Sequence, residues 1–543
     1  MSAAVDPITL ALIRNRLVAG AEQMAVTLWK SSFSTVIREV LDYSTAIFDA
    51  EGRMVAQSSQ IPFQMMTMSA PMGYLIRTGY DWQPGDVVLL NDPYACEAQH
   101  LPDYIVFRPA FSGDELIGFA GAIGHMLDTG GGAAGGYLAS ATEIYHEGLR
   151  IPPSKIIRGG ELNEELLQLI LLNVREPEKL RGDLTAMWAC TSLGEATLHA
   201  LADEYGPATA RAAMAEILDS TERQVRQRLA LIPEGTYRGV DHVDDDGITD
   251  DPLRIEATVT RRGDALEVDF AGTSPQPAGP VSATMEMTRS SVMYVAMATI
   301  GEDIPKNDAW RRPITVRAPE RSLVNAGPPA PVASRVTTCH RIVDAMMQAL
   351  VQAIPDRVTA GYYGASNICN IGGFDPDTGA PWVHFEIEVG GWGARPTSDG
   401  LDAYSAHVHN LATTPIEVVE SNPRLRVEHY SLLPGTGGAG KFRGGLGLRR
   451  DIRVLVEGAR LNLLGDHYKF APLGMLGGEP GVSGRYVLNP DTKDERRLPN
   501  KVSNMPIAAG EVISMQTSGG GGYGDPAERD PDFIERDRRE GKI

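Results

Sequence analysis

Two histidines close together in this chain each precede an aspartate by three residues. His100 and Asp103 stand in "NDPYACEAQHLPD", and His125 and Asp128 follow in "GHMLD". Imidazole and carboxylate together suit zinc, manganese or divalent iron. A metal with such ligands and an open position acidifies a bound water or polarises a carbonyl. The same residues also make ordinary hydrogen-bonded His–Asp pairs, so spacing by itself leaves both readings open. Glycine-rich "DTGGGAAGG" follows directly. Glycines there let backbone approach a site or substrate closely, or form only a flexible loop.

Positioning of these residues falls to a hairpin. "YIVFRPAF" and "LIGFAGAIGH" read as strands joined by "SGDE" at Ser112–Glu115. Counting outward from the turn places Asp103 within about two residues of lying opposite His125. His100 sits in the loop before the first strand, where Pro102 excludes a helix and stiffens the chain. Glu143 and Glu147 lie four apart in "TEIYHEG", but Gly148 and Pro152–Pro153 make this segment more loop than helix. Glu147 could orient a substrate amide or act as an acid, or be a structural, ion-paired glutamate.

Other candidates are weaker. "GTGGAGKF" from Gly435 imitates a phosphate loop, but Phe442 stands where Ser or Thr must hold magnesium, and no helix follows. It reads as a tight glycine turn. His407 and His409 in "HVHN" have no carboxylate to complete a ligand set. Cys339 and His340 are adjacent, which on a helix turns them about 100° apart. His407 and His409 read as core or interface residues, and Cys339 and His340 do not form a nucleophile–base pair with each other.

At 543 residues the chain should form about three or four modules. The pattern predicts an α+β, multi-domain protein of mixed sheets with an intervening helical block. We divide it into an N-terminal part with the candidate site (1–162), a helical block (163–232), a middle α+β part (233–360), a Gly-rich β-containing part (361–526) and a charged, loosely attached tail (527–543). The net charge of −20 disfavours nucleic acid. No apolar run is long enough to span a membrane. The N-terminus lacks a secretory pattern, and the four cysteines show no Cys-x-x-Cys spacing. A cytoplasmic location is the expectation.

"EVLDYSTAIFDAEGRMVAQ", "GDVVLLNDPY…HLPD", "GHMLDTGG" and "ATEIYHEGLRIPP" resemble the hydantoinase B/oxoprolinase family, as do "GGWGARPTSDGLDA", "GAGKFRGGLG" and "TSGGGGYGDP" in the same order. The resemblance implies a centre for a divalent metal (zinc or manganese, with iron a further candidate) made from Asp42, His100, Asp103 and His125. Asp128 is left as an acceptor for a ligand imidazole or as the base that handles the reacting water. The resemblance further implies a B-type subunit that opens a hydantoin, lactam or 5-oxoproline-like ring, with metal-bound water attacking a substrate activated by a separate A-type subunit. ATP and magnesium would sit on that partner in a hetero-oligomer. The same resemblance admits a ketone carboxylase subunit, and a scaffold with a structural metal is a third reading.

Overall fold

The computed structural model describes residues 5–58, 60–64 and 66–543. It is an α+β structure built on several sheets. The N-terminal sheet contains β1 (Tyr43–Asp49), β2 (Met54–Gln57), β3 (Val87–Leu90), β4 (Asp103–Ser112), β5 (Glu115–His125), β6 (Ser154–Arg158) and β7 (Glu161–Leu162), in the order β2-β1-β5-β4-β3-β6-β7. β4 and β5 form the expected hairpin. Ser112 pairs with Glu115 at the turn, and Asp103 pairs with His125 at the open end.

The two faces of this sheet serve different cores, because successive side chains of a strand point to opposite sides. Tyr104, Val106, Ala120 and Ala122 face one apolar cluster. That cluster lies under helices Pro7–Ser31, Pro177–Tyr205 and Pro207–Leu229. Gly194 lets helix Pro177–Tyr205 approach closely: a Cβ there would stand 2.6 Å from that of Ala120. The helical block is therefore folded back as a layer on the N-terminal sheet. Ile105, Phe107, Phe119 and Ile123 face the opposite cluster, shared with the middle part. Asp103 and His125 alternate in phase with this second set.

The middle part has β8 (Gly235–Val243), β9 (Leu253–Arg262), β10 (Ala265–Asp269) and β11 (Ile314–Arg317), in the order β11-β10-β9-β8. Helix Arg335–Leu350 packs on β8 and β9 and beside helix Met285–Ile300. Nearly every residue of helix Arg335–Leu350 is buried, polar ones included. Two further sheets follow. One contains β12 (Asn367–Phe374) and β13 (Pro381–Glu388), and the other contains β14 (Leu425–Leu432) and β15 (Leu448–Val454). They enclose a shared core that includes Cys369, Ile371, Ile452 and Met515.

The glycine-rich motifs converge into one bundle of extended rods. Successive N–H groups of Gly519, Gly520, Gly521 and Gly522 donate to the carbonyls of Val482, Gly445, Gly361 and Glu479. The first and fourth reach the same neighbouring segment, so the rod repeats every three residues, as a polyproline-II-type helix does. Only glycine fits where such rods touch. The imitation of a phosphate loop at Gly435–Phe442 belongs to this bundle: Gly438 donates to the carbonyl of Gly520, and Phe442 and Tyr523 exchange backbone bonds.

The tail is not loosely attached. Helix Pro531–Arg539 docks on the bundle, with Asp537 fully buried against Arg443 and Arg529. Asp399 accepts from Arg529 and Arg536, and both guanidinium groups stand over the Phe533 ring. The charges that a sequence reading assigns to solvent are thus spent on a paired network.

Candidate functional site

Asp42, His100, Asp103 and His125 meet at the mouth of the β4–β5 hairpin. Asp42 directly precedes β1, which pairs with β5, and its carbonyl accepts from the His125 N–H at 3.0 Å. His100 is brought in by the turn that closes on Asp103, whose N–H donates to the His100 carbonyl. His100 Nε2 lies 3.1 Å from Asp103 Oδ2, and the two imidazole centroids are 5.2 Å apart. All four residues are 3% exposed or less.

Burial sets the protonation of the group. The His125 imidazole is held down to about 3 and His100 falls well below the usual histidine range, chiefly by desolvation of the charged form. Both rings are therefore neutral and keep a lone pair. Burial raises Asp42 to about 8, with the Asp103 charge adding to the effect. His100 Nε2, Asp103 Oδ1 and His125 Nδ1 have no hydrogen-bond partner. Three unpartnered donor atoms on nitrogen and oxygen, with a second carboxylate beside them, match the donor chemistry of a divalent ion.

Residues from distant segments surround the group. Gln64 Nε2 donates to Asp42 Oδ1 at 2.7 Å. Tyr137 Oη is 2.9 Å from His125 Nε2, and Phe385 of β13 stacks on both rings. Arg335, the first residue of its helix, donates from Nη2 to Asp103 Oδ2 at 2.7 Å and to Gln99 Oε1 at 3.0 Å. All three sheet-containing parts thus contribute to one buried site. Arg335, Tyr137, Gln64 and Phe385 escape a sequence reading. The one signal for Arg335 is a basic residue opening the helix in "SRVTTCHRIVD".

Asp128 faces away from this chemistry. Its carboxylate accepts from the N–H groups of Gly130, Gly135 and Arg175 and from the Arg175 guanidinium. Those contacts organise the glycine loop. Glu147 accepts from the N–H groups of Val332 and Ala333, at 3.0 and 2.8 Å, and so ties the N-terminal part to the turn before Arg335. Glu143 and His146 are exposed.

Burial raises the Glu147 carboxyl to about 8. A carboxyl raised on folding favours the folded state fully below its unfolded value and loses that contribution as pH climbs through 8. Glu147 should make the chain less stable between about pH 5 and 8, by at most ~5 kcal/mol. Denaturant unfolding at pH 5.5 and 8.5 should show a smaller difference in Glu147→Gln than in the wild type. An identical difference in both rejects this role.

A second acidic group occurs elsewhere. Donor atoms of Asp241, Asp344 and His467 converge within 4.8 Å, and no three donors at the hairpin mouth are that close. Here, however, the cation is internal. Arg341 lies 2.9 Å from Asp344 and 3.4 Å from Asp241 and bonds to His467, which joins the middle part to the C-terminal part. His340, His407 and His409 are buried and bonded to neutral hydroxyls: His340 to Tyr362, His407 to Tyr294 and Thr359, and His409 to Ser366. They are core histidines with partners, which for His407 and His409 is the sequence reading.

Fold and site together define a multi-sheet α+β protein with a buried His/Asp centre at a hairpin mouth and a glycine-rod bundle behind it. Residues 6–526 match the profile of the hydantoinase B/oxoprolinase family. The chain belongs to that family. It is 33% identical to the beta subunit of the caprolactamase of Pseudomonas jessenii over 99% of this chain and 94% of that one. It is 32% identical to the B-type subunit of a putative D-/L-hydantoinase of Pseudomonas sp. over 99% of this chain and 93% of that one. The crystal structure of the ATP-dependent caprolactamase from Pseudomonas jessenii superposes with a TM-score of 0.92 at 31% identity, covering 100% of this chain and 95% of that one. A nucleotide-free acetone carboxylase shares the fold, with a TM-score of 0.91 at 20% identity, over 99% of this chain and 78% of that one. No helix among the described residues is long and apolar enough to cross a membrane.

Proposed function

We propose that this chain is the B-type subunit of an ATP-dependent cyclic amidase, opening a hydantoin, lactam or 5-oxoproline-like ring with an ATP-binding A-type partner. The net reaction consumes the ring amide, two waters and ATP and yields the ring-opened amino acid, ADP and phosphate. The observation that carries this reading is the set of unpartnered donors on His100, Asp103 and His125 beside Asp42, in a chain similar over its whole length to subunits of a lactamase and a hydantoinase. Those four residues would hold zinc or manganese, with iron a further candidate. Such an ion supplies Lewis acidity towards a carbonyl or a water.

The chain's own groups prepare the site. Gln64 fixes one oxygen of Asp42, and Tyr137 engages His125 Nε2, which leaves Nδ1 as the free donor. Phe385 covers the rings and excludes bulk water, which strengthens every charge interaction inside. Asp128 and Glu147 act as positioning groups, for the glycine loop and the turn at Val332–Ala333 respectively. The rejected phosphate-loop match leaves nucleotide binding to the partner.

The test is to purify the chain with its partner and measure ADP release on addition of hydantoins, lactams and 5-oxoproline, with labelled bicarbonate present. Ring-dependent ATP hydrolysis with no label in the product is expected. Retained label would favour the ketone carboxylase reading, and no response to any ring amide would reject the amidase.

A further inference from the structure

Arg335 brings a guanidinium group into the interior, only 1% exposed. Its Nη2 holds Asp103 and Gln99, Nη1 lies 3.1 Å from His100 Nδ1, and the group stands over the Phe63 ring at 5.4 Å. Its Nε has no hydrogen-bond partner. The residue also opens the 16-residue helix Arg335–Leu350, whose N-terminal end adds positive potential at the same place.

A charge count shows what this arrangement asks for. With a divalent ion bound, Asp42 and Asp103 would both be ionised, and the ion would cancel their two negative charges. Arg335, though paired with Asp103 at 2.7 Å, would then leave the loaded site with one net positive charge. The next acid, Glu147, is engaged by two backbone N–H groups and makes no ion pair with Arg335. An uncompensated buried charge costs several kcal/mol, and an anion entering the site removes that cost. The planar guanidinium fork with a free Nε–H suits an oxyanion bound at two points.

We infer that Arg335 is the group that recognises an oxyanion on the substrate, either a phosphoryl oxygen carried by the activated amide or a carboxylate of the ring compound or its product. This rests on the metal reading given above and adds to it the class of ligand that the same site selects. Ring compounds without an acidic group should then depend on activation for tight binding, whereas those with a carboxylate should be held before it.

The test uses the full chain loaded with zinc, titrated calorimetrically with inorganic phosphate and, separately, with acetate. One anion should bind per chain, at least ten-fold more weakly in Arg335→Gln, with the zinc content unchanged. Arg335→Lys, which keeps the charge but loses the fork, should fall between. Phosphate alone binding assigns the phosphoryl source; acetate binding as well assigns the carboxylate. The wild type supplies a measurement that no misfolded variant can spoil: its phosphate affinity should depend on zinc, because without the ion Arg335 is committed to Asp103. Equal binding with and without zinc, or anion affinity unchanged in Arg335→Gln, overturns the inference. A wild type that takes up no zinc overturns the metal reading first, and that failure is visible before any anion is added.

Discussion

On the proposed function, alanine at His125, in a complex with the proposed A-type partner, is expected to abolish binding of the proposed ion and to lower ring opening about 10³-fold or more. His125 offers an Nδ1 with no protein partner, held neutral by burial, opposite Asp103 across the hairpin. No neighbouring side chain can replace it, because Tyr137 and Phe385 occupy the flanks of the ring. His100→Ala should behave alike, since its Nε2 faces Asp103 Oδ2 at 3.1 Å with no hydrogen bond made there. Loss of ring stacking is a separate effect, and thermal melts with and without a chelator divide the two. The wild type should lose stability on chelation, and each variant should melt at one temperature under both conditions. Unchanged activity and metal content in both variants would leave the amidase reading without its central observation.

Gly520→Ala should destabilise the chain by more than ~4 kcal/mol, seen as insoluble protein or a large drop in melting temperature. A Cβ at Gly520 would stand 1.9 Å from the Trp392 carbonyl oxygen and 2.2 Å from its carbon. Backbone cannot swing aside as a side chain does, and the Gly520 N–H is bound to Gly445. The demand is for space, since Gly520 is not among the residues with positive φ. Gly379→Ala makes the comparison: that glycine has φ of 71° in a turn with nothing near its Cβ position. Its substitution should cost about 1 kcal/mol. Equal stability of the two variants would contradict the close-packed rods.

The hairpin was legible because two local signals agree: apolar strands on either side of "SGDE", and the two-residue period that keeps Asp103 and His125 on one face. The helices of 163–232 were legible from their spacing, but not the sheet they cover, because an apolar stripe does not name its partner. The tail was misread for a related reason. Charge in "AERDPDFIERDRREGKI" reads as solvated until Asp399, Asp402 and Arg443, far away in the chain, supply its counter-charges.

Composition and local order alone determined an acidic α+β chain, its hairpin and the donor types at its mouth. The resemblance carried by its motifs added Asp42. Tertiary structure decided the rest: the burial that keeps both imidazoles neutral, the arrival of Arg335 and Phe385 from parts 200 or more residues away, and the assignment of Asp128 to a loop. These depend on which surfaces meet and on the water they exclude, and neither quantity exists until the chain has folded.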